Sequence, residues 1–169
     1  MNGYPFLLAI PIKYSKLIGM KYQIELLAYT AGLLDGEGSI CIGIQKPSIK
    51  NQKKSPSHFL QVGITNTNEE MIKWLYQTFG GHICDNSHSP SRIKQSPCWA
   101  WRVTCNQAQN FLELIYPYIR AKKRQAELAI EFQKMRKGLT NKFISQEDIQ
   151  KRDWYKQEIS KLTGRKFTK

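Results

Sequence analysis

The sequence predicts an α+β domain in which an antiparallel sheet carries helices on one face only. Three observations lead there. Apolar residues switch along the chain between a helical period near 3.6 and a strand period of 2. The strand-like runs come as two adjacent pairs with a helical run between them, which suits hairpins and an antiparallel sheet rather than parallel crossovers. The length, 169 residues, suits one substantial core that needs no disulfide staples.

The elements follow in order. From Gln23 to Leu34, Ile24, Leu27, Ala28, Ala31 and Leu34 recur at threes and fours, which predicts an amphipathic helix ended by Gly36 and Gly38. In S-I-C-I-G-I-Q-K, Ile40, Ile42 and Ile44 alternate with Ser39, Cys41, Gly43 and Gln45, a strand with one buried face. The polar, basic segment 46–57, with two prolines, joins it to a second strand. There Leu60, Val62 and Ile64 point one way and Phe59, Gln61, Gly63 and Thr65 the other.

Asn68, followed by Glu69 and Glu70, predicts the start of a helix over Met71 to Phe79, closed by Gly80 and Gly81. His82 to Ser87 reads as a third strand and residues 99 to 105 as a fourth, in which Trp99 and Trp101 are core residues rather than stacking platforms. Helical patterns resume over Ala108 to Tyr116, break near Pro117, run through Arg120 to Lys137, and return after the capping sequence Ser145 to Asp148. The second sheet face is left open to a partner.

Charge identifies that partner's class. Lys and Arg number 26 against 13 Asp and Glu, for a net charge of +13. The excess is gathered: residues 41–60 carry four bases and no acids, residues 120–137 seven against two, and residues 138–169 eight against four. A field concentrated on particular segments favours nucleic acid over a membrane surface. The four cysteines have no C-x-x-C spacing, so neither a disulfide frame nor a compact zinc site is expected, and a reducing intracellular setting, cytoplasm or organelle, fits. The apolar run F-L-L-A-I-P-I is too short to cross a membrane and has no basic residue before it.

The stretch T-A-G-L-L-D-G-E-G-S-I, residues 30–40, places two carboxylates and three glycines at a helix end. Unpaired carbonyls there carry the negative end of the helix dipole and repel a carboxylate unless a cation is shared. Carbonyl oxygen and carboxylate are the hard donors Mg²⁺ prefers, and Gly36 presents its carbonyl without steric hindrance. On the residues alone, a solvated turn explains D-G-E-G-S equally well. Ala28, Ala31, Gly32 and Gly36 also form a small-residue stripe where a second helix could approach closely, bringing two Glu37 side chains together.

T-A-G-L-L-D-G-E-G resembles the LAGLIDADG motif of homing endonucleases, with Thr30 for the first Leu, Gly36 for the second Ala, and Glu37 for the commoner Asp. One motif is present, and strand, basic loop, strand, helix, two strands and P-Y-I-R-A-K-K-R-Q-A-E-L follow as in single-motif members. The resemblance covers roughly residues 22–137, leaving 1–21 as an N-terminal extension and 138–169 as a basic, helical C-terminal appendage. It implies an αββαββα protomer that pairs as a homodimer through Ala28, Ala31, Gly32, Leu33, Asp35 and Gly36 and lays its strands in the major groove of double-stranded DNA. It further implies site-specific, double-strand DNA cleavage at a long pseudo-palindromic site, with Mg²⁺, or Mn²⁺ as substitute. Intron-RNA maturases and non-cleaving DNA-binding regulators of the same fold are the alternative.

Carried over residue by residue, the resemblance makes Glu37 the metal-binding acid, Gly36 the carbonyl donor and Asp35 a structural acid. Lys122 becomes the cation that polarises the attacking water or steadies the developing phosphorane charge, and Asn66 a polar residue ordering active-site water. Arg120 and Arg124 would hold phosphates. Base reading would fall to Ser39, Cys41, Gln45, Gln61, Thr65 and Arg102, with Lys46, Lys50, Lys53 and Lys54 in the hairpin. Gly43 and Gly63 would either admit DNA closely or mark bulges.

Overall fold

The computed structural model describes residues 24–46, 56–86, 97–137 and 145–163. Lys50, Lys53, Lys54, the extension 1–21, Gln23 and Ser87 lie outside the described residues. In chain order the elements are α1 (Ile24–Glu37), β1 (Gly38–Gln45), β2 (Ser57–Asn66), α2 (Glu69–Phe79), β3 (His82–Asp85), β4 (Trp99–Thr104), α3 (Cys105–Ile115), a 3₁₀ turn (Tyr116–Tyr118), α4 (Lys123–Lys137) and α5 (Gln146–Leu162).

The four strands form one antiparallel sheet in the order β1-β2-β4-β3, so both expected hairpin pairs are present and β2 joins β4 at the centre. Period-2 alternation then sorts the side chains. Ile40 pairs with Val62 and Ile42 with Leu60, while Val62 pairs with Val103 and Ile64 with Trp101. All these residues are buried beneath the helices. Ser39, Cys41, Gln61, Thr65, Arg102 and Thr104 lie on the other face and stay partly exposed.

Several local signals act as expected. The Asn68 side chain accepts from the Met71 N–H at 3.1 Å and starts α2. Gly80 and Gly81 adopt φ of 71° and 91°, the left-handed backbone that glycine tolerates best. The Gly80 carbonyl accepts from the Trp101 indole at 2.7 Å. Trp101 is fully buried, tilted against Phe79 and edge-on to Phe111, and Trp99 is half-buried against the same core.

Of the boundaries that differ from expectation, three have the largest consequence. The first helix passes through Gly36 and ends at Glu37, and β1 begins at Gly38 with no intervening turn. The chain crosses from helix to strand over Leu34, whose atoms lie inside van der Waals distance of any Cβ at position 38, so only glycine fits. The helix after β4 begins at Cys105, three residues early, and the next begins at Lys123 rather than Arg120.

The segment from residue 145 packs onto the main core. Ser145 caps α5 by accepting the Asp148 N–H at 3.1 Å, Ile159 is 1 % exposed within the main core, and Tyr155 meets Phe132 edge-on. Asp153 of α5 bonds the buried His58 ring at 2.7 Å, and the Leu162 carbonyl accepts from the Gln125 side chain at 3.0 Å.

Candidate active site and nucleic-acid interface

Asp35 and Glu37 sit in the last turn of α1 and do different things. The Asp35 carboxylate accepts the backbone N–H groups of Arg120 at 2.7 Å, Ala121 at 3.1 Å and Lys122 at 2.9 Å. These donors belong to the turn at residues 120–122 that leads into α4, and an acid from another helix gathers them. Burial raises the Asp35 pKa, but the three backbone donors and the Lys122 charge outweigh it, holding the carboxyl below its ordinary 3.8.

The Lys122 ammonium donates in turn to the Asp35 backbone carbonyl. One residue thus fixes both the main chain and the side chain of Lys122 against the end of α1. Glu37 is exposed, and its Oε2 accepts from the Asn66 amide. The Asn66 oxygen accepts from the Asn68 N–H at 2.7 Å, so its nitrogen is oriented toward Glu37. This is an Asx turn, a side chain bonding main chain two residues on; the spacing Asn66–Asn68 is its sequence signal.

Glu37, Asn66, Lys122 and Gly36 are therefore gathered at one end of the sheet. Their donors are oxygen and amide groups, and a carboxylate beside helix-terminal carbonyls suits a hard divalent cation that keeps most of its waters. Among the described residues no group of three or more His, Cys, Asp or Glu could hold a metal. Such an ion would need further oxygens from a second copy or a phosphate.

Arg120 is exposed beside this site, whereas Arg124 is paired with Glu127 at 3.0 Å. Glu127 also accepts from the Tyr116 hydroxyl at 2.7 Å. Ser39, Cys41, Gln45, Gln61, Thr65 and Arg102 share the open sheet face, and Lys46 is exposed just beyond β1. Gly43 does not open that face, because the Phe59 ring covers it. Gly63 lies between Ser39 and Arg102, with an added Cβ 3.3 Å from the Arg102 side chain.

The outer face of α1 shows Ala28, Gly32 and Gly36 exposed, with Leu33 half-buried. A Cβ added at Gly32 or Gly36 meets nothing within 4 Å. Ala31 corrects the expected stripe. It is fully buried, because residues 27, 31 and 34 form the inward line of the helix, and a residue without exposed surface has none to offer a second copy. Thr30 is also fully buried, with its hydroxyl satisfied by the Leu26 carbonyl at 2.8 Å. That bond explains how a polar residue occupies a core position.

This arrangement of helices on one side of an antiparallel sheet, with paired acids ending the first helix, is the LAGLIDADG homing-endonuclease fold. The homing endonuclease I-CvuI, in complex with a DNA target in the presence of magnesium, matches with a TM-score of 0.67 at 18 % identity over 85 % of each chain. The archaeal intron-encoded homing endonuclease I-Vdi141I, complexed with DNA, gives 0.66 at 18 % identity over 85 % of this chain and 87 % of its own. The meganuclease I-SmaMI, bound to uncleavable DNA, gives 0.65 at 17 % identity over 83 % of this chain and 46 % of its own. No protein-family model and no curated protein matches the chain. At these identities the likeness establishes the fold. Among the described residues no helix is long and apolar enough to cross a membrane.

Proposed function

We propose that this protein is a LAGLIDADG-type homing endonuclease that pairs as a homodimer and cuts double-stranded DNA at a specific, long, pseudo-palindromic site. The observation that carries the reading is the pair of contacts, Asn66 to Glu37 and Lys122 to the Asp35 carbonyl, at the end of one helix whose outer face is open and built of small residues. Two copies crossed at Gly32 and Gly36 would bring two such sites together, as cutting both strands requires. That this chain corresponds to about half of I-SmaMI agrees with a two-copy assembly.

Glu37 and the Gly36 carbonyl would hold Mg²⁺ or Mn²⁺, which when bound supplies a polarised water and neutralises phosphate charge. Asn66 holds one Glu37 oxygen and leaves the other available. The Lys122 ammonium spends one donor on Asp35 and keeps two for phosphate or water. Arg120 is placed to hold a neighbouring phosphate, and Arg124 would have to leave Glu127 to do so. Arg102, Gln61, Thr65, Ser39, Cys41 and Gln45 present the side-chain types that read base edges in the major groove.

The test is incubation with DNA spanning the uninterrupted allele of the host locus, with Mg²⁺ and then with Ca²⁺. Wild-type protein is expected to produce one double-strand cut in Mg²⁺, and Glu37→Gln protein to bind the same DNA without cutting. Equal cutting by the Glu37→Gln protein would remove Glu37 from the mechanism.

A further inference from the structure

At the end of the sheet far from Glu37, a cavity of about 570 Å³ opens beside Gln45, Ser57, Thr104 and Cys105, and Arg136 of α4 lines it. The distance follows from the elements. Lys122 to Arg136 spans fourteen positions, about 21 Å at helical rise, and Gly38 to Gln45 spans seven strand steps, about 24 Å. Both place Arg136 roughly six or seven base pairs from the cleavage centre along a duplex laid on the open face.

Arg136 is held there by an unusual partner. Its Nη1 donates to the Cys105 sulfur at 3.2 Å, and Cys105 is, among the described residues, the one non-glycine with positive φ, at 50°. Thiol sulfur is a weak acceptor, so most of the guanidinium's donor capacity is unspent. Behind it lies Arg152, 3 % exposed, with its Nε lacking a partner. Desolvation, then the Arg136 charge, lowers the Arg152 pKa, and Asp148 opposes this only in part. Arg136 is the charged residue lining a cavity large enough for a phosphodiester, and the buried Arg152 lies near enough to feel its charge.

We propose that Arg136 is a phosphate-binding residue that grips the duplex backbone at the outer end of each half-site. This rests on the DNA-binding reading above. It differs from base reading by Arg102 because a phosphate contact carries no sequence information.

The test uses the full chain and a duplex of random sequence, with affinity followed by fluorescence anisotropy between about 50 and 200 mM salt. Arg136→Gln is expected to weaken binding several-fold and flatten the logarithmic salt dependence by about one unit. Arg136→Lys, which keeps the charge, is expected to retain the wild-type slope. A slope unchanged in Arg136→Gln, with wild type binding normally, would overturn the Arg136 assignment alone. Absence of duplex binding by wild type would overturn the DNA reading and this assignment with it. A thermal shift from millimolar inorganic phosphate as large as that from duplex, and lost in Arg136→Gln, would assign the cavity to a free anion instead.

Discussion

The Asp35 carboxylate accepts the Lys122 backbone N–H at 2.9 Å while the Lys122 ammonium donates to the Asp35 carbonyl. This reciprocal pair, 87 positions apart in sequence, ties the end of α1 to the start of α4. Replacing Asp35 with Ala is expected to cost about 1.5–3 kcal/mol, the scale of losing hydrogen bonds to a charged group, and to slow cleavage more than it weakens DNA binding. The pH dependence has a definite sign. A carboxyl held below 3.8 in the fold contributes stability that is complete above its unfolded pKa and lost as pH falls through the folded one. Urea melts of Asp35→Asn and wild type should therefore differ by a constant amount near neutral pH and converge in acid. A gap that widens in acid would contradict this account.

Asn66 is expected to act through Glu37 rather than through a water of its own. Its amide is fixed by Asn68 and donates to the Glu37 carboxylate. A hydrogen bond to a charged group is worth about 1.5–3 kcal/mol, so Asn66→Ala should slow single-turnover cleavage by about tenfold or more. It should also raise the Mg²⁺ concentration needed for half-maximal rate. Asn66→Asp, which sets a second carboxylate against Glu37, should shift that midpoint differently from Ala; identical titration curves for wild type and both variants would show that Asn66 does not orient Glu37.

The sequence made the sheet and the site's acids legible, and it obscured the contacts that join them. Ile40, Ile42, Leu60, Val62 and Ile64 alternate in a period no helix imitates, so both strands and their buried face were readable. Glu37 and Lys122 were found through the motif resemblance. That Asp35 holds the turn before α4 is not readable, because a partner supplied from 85 positions away leaves no local pattern. Small size alone does not reveal that Ala31 lies inward; its angular position between Leu27 and Leu34 does, and it leaves Ala28 outward. Glycine usually stops helices, which predicts an earlier end for the first helix, whereas here Gly38 serves a close crossing over Leu34. Nothing local marks Arg136, because its partner, Cys105, is 31 positions away.

Gly32 separates effects within the protomer from effects between protomers. Nothing lies within 4 Å of a Cβ added there, so Gly32→Ala should stabilise α1 by about 1 kcal/mol on helix propensity. Gly32→Leu should leave the protomer folded by circular dichroism yet push two helix backbones apart. Sedimentation at micromolar concentration is expected to show a dimer for wild type and a monomer for Gly32→Leu. A dimer of undiminished affinity in the Leu variant would place the pairing surface elsewhere.

The C-terminal helix is predicted to hold the active-site end of the fold. Ile159 is 1 % exposed in the main core, and a cavity beside Ser39 and Cys41 is shared by Lys122, Gln125 and the last turn of α5. Gln125, 6 % exposed and one turn beyond Lys122, donates to the Leu162 carbonyl, so the end of α5 braces the segment that carries the ammonium. Ile159→Ala is expected to lose about 2–5 kcal/mol, the range for truncating a buried Ile, while an appendage merely touching DNA would lose less than about 0.5 kcal/mol. Gln125→Leu removes the brace and also leaves the Leu162 carbonyl unsatisfied. It should raise the reactivity of the Lys122 amine toward an acylating reagent, read by peptide mass spectrometry on the DNA-free protein. If Ile159→Ala melts like wild type and Lys122 labels no faster in Gln125→Leu, the helix does not support the site.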